Sequence, residues 1–442
     1  MHGVTNQGAA SAREEVDAVA HLLQDYGYPP EVGFVLQRLL GALRQFEPLS
    51  VLLHGSAARG ELTWWRDSAG RVRVASDIEM YITREDPFPQ EGIRAVNSLA
   101  ERLTEEMNAG GAKLFHIDLG FVSLKTLRRH PRTFRCWDTR TSGRTLLGVD
   151  VRAELPALDA STIDLRQLNE VPIHRLWEMV FRLPRPILSG GHSLRQDRVF
   201  AYVCGRQALD LTTWLLPHQG VLVPTFTGRV AAWEEVVAQG KMARYFSPTS
   251  TALLQECLEA KLHFRLRRPA AELHKDVLAG FRAGLRLLLD LDHEADDEAL
   301  MREVLRQGRR HWNVETPRRR LYEGFLVWRH GLLPRHPIRA ARWWWRQKRP
   351  QQVAFLLLMN AALAGLLSDS GDDSALSAAE RLLSKLWHGF SGANGTTTDR
   401  FLAARRGYLD YLTRTSRWFA PRRAYLLSVI GETPEHPSSQ EK

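Results

Sequence analysis

Cysteine is scarce in this chain: Cys136, Cys204 and Cys257 are the three among 442 residues, dispersed and without CxxC spacing. An odd, scattered set argues against a disulfide framework and against a structural zinc site, and a reducing cytoplasm is the natural expectation. The opening stretch MHGVTNQGAASAREEV lacks the apolar core of a signal peptide. No fixed-period repeat and no low-complexity tract breaks the sequence. The uncharged run Pro350–Leu367 falls short of the roughly 20 apolar residues that span a bilayer, and Asn360 interrupts it. What is present is ordinary for a globular chain: 44% apolar and 25% charged residues, enough to bury a sizeable core. The length suits two or three domains. A formal net charge of +10, carried mostly by arginine, suits anionic partners such as nucleotides, nucleic acid or a lipid surface.

Helical periodicity runs through residues 13–46, with Val16, Val19, Leu22 and Leu23 in one helix and Val35, Leu36, Leu39, Leu40 and Leu43 in the next; Pro29 and Pro30 separate the two. Leu49–His54 reads as a short apolar strand and Ala57–Gly60 as a turn or short helix. Leu62–Arg66 and Arg71–Ile82 read as a hairpin around Asp67–Gly70. Residues 90–108 form a helix with Ile93, Val96, Leu99, Leu103 and Met107 on one side, and Leu114–Val122 is another strand. The order α-α-β-α-β-β-α-β is a compact α/β unit ending near residue 150. From about residue 160 the pattern turns helical, with candidates at Ile173–Leu183, Val199–Leu216, Arg229–Ala238, Ser250–Leu266, Leu273–Leu291 and Asp296–Arg306. Arg309–Arg320, basic and containing Pro317, reads as a linker; a further helical region follows, with a polar break at Ser368–Ser374. The expected class is α+β: an N-terminal mixed sheet with helices, then helical bundle regions. The expected division is a domain over 1–155, a helical bundle over 156–308, a C-terminal helical region over 309–434 and a disordered tail over 435–442.

The chemistry concentrates in LLHGSAARGELTWWRDSAGRVRVASDIEMYI, Leu52 to Ile82. Side chains alternate across a strand, so Asp77 and Glu79 share one face while Ile78 and Met80 take the other. Two acids about 7 Å apart along a strand can converge on one hard cation. The Gly55-Ser56 turn just upstream can bring backbone N–H groups to a phosphate. A third acid, Asp118 in FHIDLGF, lies mid-strand among apolar neighbours. A buried carboxylate there needs a metal, a basic partner or a solvent cleft.

HGSAARG, then SDIEMYI, then HIDLG resembles the nucleotidyltransferase superfamily that includes DNA polymerase beta and the antibiotic nucleotidyltransferases. SDIEM is particularly similar to the acid-x-Glu strand of the kanamycin nucleotidyltransferases. The match covers roughly residues 35–150, with a longer gap than usual between Ser56 and Asp77, assigned to the hairpin Leu62–Arg73. The resemblance implies an enzyme that transfers a nucleoside monophosphate from an NTP such as ATP to a hydroxyl and releases pyrophosphate. It implies Asp77, Glu79 and Asp118 as catalytic residues holding Mg2+ (or Mn2+), with Asp118 also drawing the proton from the attacking hydroxyl. Gly55, Ser56 and Arg59 are the implied nucleotide-binding residues. The acceptor is open: a small molecule such as an aminoglycoside, a protein or an RNA end. A non-catalytic nucleotide sensor or partner-binding protein on the same fold is the alternative.

Other residues have weaker claims. Lys113 and His116 flank the third acid, and His116 shares its strand face. Ser76 can fix the turn before the metal strand through its hydroxyl. Val199–Arg229 resembles the helical domain that often follows such a catalytic unit, with Arg206, Asp210 and Arg229 as its polar candidates. Trp343, Trp344 and Trp345 sit among arginines ahead of the Pro350–Leu367 run. That combination fits a buried bundle helix, a membrane-surface helix or a nucleic-acid or partner site. The expected setting is therefore cytoplasmic, with a membrane-peripheral variant through the three tryptophans.

Overall fold

A computed structural model of the chain describes residues 18–111, 114–182, 194–265, 268–312, 349–368, 373–386 and 390–415. Lys113, the Trp343–Trp345 cluster and the tail after Pro434 lie outside them. The α+β expectation holds: a small mixed sheet with its helices comes first, and helices follow. The chain divides into two compact units. The first gathers the described residues of Met1–Leu165 with Leu216–Ala232 and Leu258–Arg265; the second comprises those of Arg166–Leu215, Trp233–Cys257 and Leu266–Lys442. Three short segments of the 156–308 span, residues 156–165, 216–232 and 258–265, thus belong with the N-terminal unit.

In the first unit the strands are β1 (Ser50–His54), β2 (Trp64–Arg66), β3 (Val72–Val74), β4 (Asp77–Arg84), β5 (His116–Ser123) and β6 (Arg144–Gly148). The main sheet has the order β5-β4-β1-β6; β1 runs antiparallel to both β4 and β6, and β4 runs parallel to β5. β1 is interior to the sheet and buried along its whole length, which is why SVLLH reads as a continuous apolar run. The helices of this unit are a stretch at 18–26, α1 (Pro30–Arg44), α2 (Gln90–Asn108), α3 (Leu124–Arg128) and α4 (Phe134–Ser142). Val96, Ala100 and Leu103 recur at helical spacing and form the buried face of α2. Asn108 ends that helix by bonding both ways to Phe115, Nδ2–H to its carbonyl at 2.9 Å and Oδ1 from its N–H at 3.2 Å. That clasp fixes where the chain enters β5.

Two sequence expectations need correction here. Arg71–Ile82 is not one strand: β3 ends at Val74, β4 begins at Asp77, and the two belong to different sheets. The break is explained by Ala75 N–H, which bonds Thr63 O at 2.9 Å, and by the buried Ser76 hydroxyl, which is engaged away from the main sheet. In addition α3, α4 and β6 extend the unit between the third acid and residue 150, where no element was anticipated.

The second unit is helical: α5 (Leu165–Leu168), α6 (Val171–Phe181), α7 (Leu194–Leu215), much of α8 (Phe226–Ala238) and α9 (Pro248–His263), then α10 (Ala270–Leu288), α11 (Asp297–Trp312), α12 (Arg349–Leu367), α13 (Ser374–Leu386) and α14 (Thr397–Thr415). α11 continues to Trp312, so the first residues of the expected linker are helical. α12 is the one helix among the described residues long and apolar enough to cross a membrane. It packs on α6, α10, α11, α13 and α14. Its Asn360, fully buried, donates from Nδ2 to Leu176 O at 2.9 Å and to Leu356 O at 2.8 Å, and its Oδ1 lies 3.0 Å from His274 Nε2. A polar residue satisfied inside a ring of helices is the pattern of a core helix.

Candidate active site

β4 and β5 lie side by side with Asp77 opposite His116 and Glu79 opposite Asp118. Ile78, Met80 and Ile117 are buried on one face; Asp77, Glu79, His116 and Asp118 occupy the other, partly or fully exposed. The expected face-sharing of the three acids is therefore present, and the parallel register brings Glu79 and Asp118 to the same level. Two carboxylates abreast repel one another. The structure meets that charge with Arg135, whose Nη2 lies 3.1 Å from Glu79 Oε1 and 3.9 Å from Asp118 Oδ2. Partial burial opposes the Arg135 charge, but Glu79 first, then Tyr81 and Asp118, outweigh it and raise its pKa. The guanidinium also lies 5.8 Å from the Tyr81 ring centre, on the same face of β4.

Gly55 closes the other side. It follows β1 at φ +72°, a backbone conformation glycine adopts without penalty. A Cβ placed on it would stand 2.1 Å from Glu79 Oε2. The absent side chain thus lets the Gly-Ser turn press against the Glu79 carboxylate of β4. Ser56 is half-buried and starts a single helical turn over Ala57–Arg59. His54, at the end of β1, has its Nδ1 3.9 Å from Glu79 Oε2. Burial, then the nearby Arg135, Arg59 and His130, push its pKa well below the ordinary histidine range, so it is neutral and forms no ion pair.

Arg59 points inward. Its side chain is only 6% exposed, with Nε 3.1 Å from Glu61 Oε2 and Nη1 2.5 Å from Asp138 Oδ2. Burial works against its charge, but Asp138 and Glu61 outweigh it and raise its pKa. Arg135 and Asp138 both come from α4, whose start is capped by Thr133 Oγ1 accepting from Cys136 N at 3.1 Å. Three residues apart on a helix, they share a side of it: one meets the sheet acids, the other meets Arg59. Glu61 is buried and accepts from Phe226 N at 2.5 Å and Thr227 N at 3.3 Å, placing its carboxylate at the start of α8. Lys261, also buried, donates from Nζ to Glu61 O at 3.0 Å, Thr63 Oγ1 at 2.8 Å and Ser76 Oγ at 2.7 Å. Ser76 therefore does fix the approach to β4 through its hydroxyl, with a lysine nearly two hundred residues away as partner.

Of the remaining candidates, Arg229 is buried, donates to the carbonyls of Val223 and Pro224, and faces the rings of Phe134 and Phe226. Arg206 and Asp210 belong to the second unit, where Asp210 pairs with Arg175 at 2.6 Å. Arg135, Lys261, Glu61, Asp138 and His54 went unnoticed in the sequence. His54 was within reach, being the last residue of an apolar strand next to Gly55; the others carry no local signal.

The donor set suits a hard divalent cation, being carboxylate oxygens on adjacent strands whose negative charge already attracts a guanidinium. As they stand, no three His, Cys, Asp or Glu side chains among the described residues are gathered closely enough to hold a metal ion. Arg135 would have to yield its place between Glu79 and Asp118 for one to bind. In comparisons with known proteins, no family model and no curated protein matches this chain.

Proposed function

We propose that the chain is a metal-dependent nucleotidyltransferase, moving a nucleoside monophosphate from an NTP to a hydroxyl acceptor. One observation carries the reading: Glu79 and Asp118 stand abreast on parallel neighbours, with the side-chain-free Gly55 turn packed against Glu79. Asp77, Glu79 and Asp118 would hold Mg2+ or Mn2+, which when bound offsets phosphate charge and favours departure of pyrophosphate. The half-buried Gly55-Ser56 turn offers backbone N–H groups to the triphosphate. Asp118, exposed at 56% of its side chain and so open to a substrate, would take the proton from the acceptor hydroxyl. The hydroxyl oxygen then bonds to the α-phosphorus, and the bond from that phosphorus to the bridging oxygen of pyrophosphate breaks. Arg59, enclosed by Glu61 and Asp138, acts in this scheme as a brace for the turn. The acceptor is a small molecule, a protein or an RNA end, and the setting is cytoplasmic.

A second reading is favoured by Arg135, which already pairs with Glu79 and lies near Asp118, two acids that a metal would use. It makes the protein a nucleotide sensor without turnover. The two are separated by incubating the full chain with Mg2+, each α-labelled NTP and an acceptor panel. Pyrophosphate release with label transfer, abolished in Asp77→Asn and Asp118→Asn, supports the enzyme. Tight nucleotide binding without product supports the sensor.

A further inference from the structure

We propose that Arg135 serves two anions in turn: the sheet acids, and then the β- and γ-phosphates of a nucleotide whose metal ions have claimed those acids. The inference rests on the nucleotidyltransferase reading and names the residue that selects a triphosphate over a monophosphate. The pair Arg135 makes with the acids is loose. Its Nη2 stands 3.1 Å from Glu79 Oε1 and 3.9 Å from Asp118 Oδ2, and its side chain is 48% exposed. An ion pair that open to water contributes little and costs little to break. The backbone beneath it is fixed, since Arg135 is the second residue of α4, whose first turn Thr133 caps. The guanidinium also has a shelf to pivot on, 5.8 Å from the Tyr81 ring centre. That ring is held in place: its hydroxyl lies 3.1 Å from His130 Nε2, and the His54 ring centre is 4.4 Å away. Gly120, opposite Tyr81 in the register, keeps the ring's place clear, because a Cβ there would stand 2.7 Å from Tyr81 Cδ1. A cation over an aromatic face can keep that contact while its ion pair changes partner.

Two other basic side chains of this unit are committed. Arg59, 6% exposed, is enclosed by Glu61 and Asp138. Lys261, buried, donates to the Glu61 carbonyl and to the hydroxyls of Thr63 and Ser76. Neither can turn outward without leaving buried polar groups unpaired. Arg135 is open, and its planar fork of N–H donors matches phosphate oxygens. Metal ions on Glu79 and Asp118 would take its present partners just as a triphosphate brings new ones. The role of Arg135 therefore changes sign. Toward a metal ion alone it competes for the same carboxylates; toward a metal–nucleotide it is one more ligand. A merely structural arginine would on removal weaken both kinds of binding, and a merely inhibitory one would strengthen both.

The test uses the full chain as wild type, Arg135→Ala and Arg135→Lys. Mn2+ affinity is measured first without nucleotide, by electron paramagnetic resonance. At saturating Mn2+ the affinities for a non-hydrolysable NTP and for the matching nucleoside monophosphate follow, by calorimetry. Arg135→Ala is expected to bind Mn2+ severalfold more tightly and the NTP about tenfold more weakly, with the monophosphate unchanged. Arg135→Lys, which keeps the charge without the fork, should fall between wild type and Arg135→Ala for the NTP, and it carries the test should the alanine variant fail to fold. NTP affinity unchanged or raised in the folded variants, an equal loss for NTP and monophosphate, or weaker Mn2+ binding in folded Arg135→Ala would each overturn the proposal. Those results leave the parent reading standing as long as the wild type binds Mn2+ and NTP together. A wild type that binds no NTP at saturating Mn2+ overturns the parent reading, and this proposal with it.

Discussion

Gly55→Ala separates backbone strain from disturbance of the acidic site. Gly55 sits at φ +72°, and an added Cβ would lie 2.1 Å from Glu79 Oε2. Forcing an L-residue into the left-handed region costs about 1 kcal/mol. The carboxylate must also retreat by about 1 Å to reach van der Waals distance, a rotamer distortion of about 1 kcal/mol. The expected loss is about 2 kcal/mol, read as a lower urea midpoint at unchanged slope. Gly70→Ala is the control. It has φ +76° with nothing within 4 Å of the added Cβ, so it should lose about 1 kcal/mol and leave nucleotide binding intact. Under the proposed activity a shift of that size at the reacting centre would cost about a hundredfold in rate, so Gly55→Ala alone should lose turnover. Equal stability losses in the two variants, with unaltered metal-nucleotide binding in both, would refute the reasoning that Gly55 is kept small for Glu79.

Arg135→Ala removes a cation that, on the proposed reading, would compete with a metal ion; because the pair is half-exposed, unfolding stability should change by no more than about 1 kcal/mol, while Mn2+ affinity by calorimetry should rise severalfold. Lys261→Met leaves Thr63, Ser76 and the Glu61 carbonyl without their buried donor, and should cost about 3 kcal/mol in urea unfolding. His274, whose pKa burial lowers to about 4, stays neutral in the folded helical unit while the unfolded chain binds its proton near the ordinary value. Its stabilising contribution is thus complete above about pH 6.5 and is lost as pH falls through 4, at most about 3 kcal/mol. His274→Gln, which can still donate to Asn360, should flatten the stability profile in that window by one proton.

Legibility in the sequence followed the range of the interactions. β1 was readable as a short continuous apolar run and β4, β5 and α2 from their periodic apolar positions, and the alternation DIEM correctly put Asp77 and Glu79 on one face. The hairpin was readable from Asp67–Gly70, where Asp67 Oδ1 accepts from Ala69 and Arg71 and Gly70 supplies a positive φ. β6 was missed because RTLLG is short and holds just two large apolar residues, Leu146 and Leu147, and its pairing with β1 contains an irregularity. The register that sets Glu79 beside Asp118 depends on β4 and β5 meeting across an intervening helix, so no local pattern reports it. The same holds for the arginines: Arg59 and Arg135 look alike in the chain, and tertiary contacts alone send one into an enclosed network and the other onto the acids. Lys261 lies in a helix without a motif, and its role exists only through residues 61–76.

The most direct measurement is Mn2+ binding to the full chain in the presence of a non-hydrolysable NTP, followed by electron paramagnetic resonance, for the wild type and for folded Glu79→Gln and Asp118→Asn. The account predicts a bound ion in the wild type and at least about a tenfold loss of affinity in each variant. Affinity unchanged in both variants, or no nucleotide-dependent Mn2+ binding at all, would contradict it.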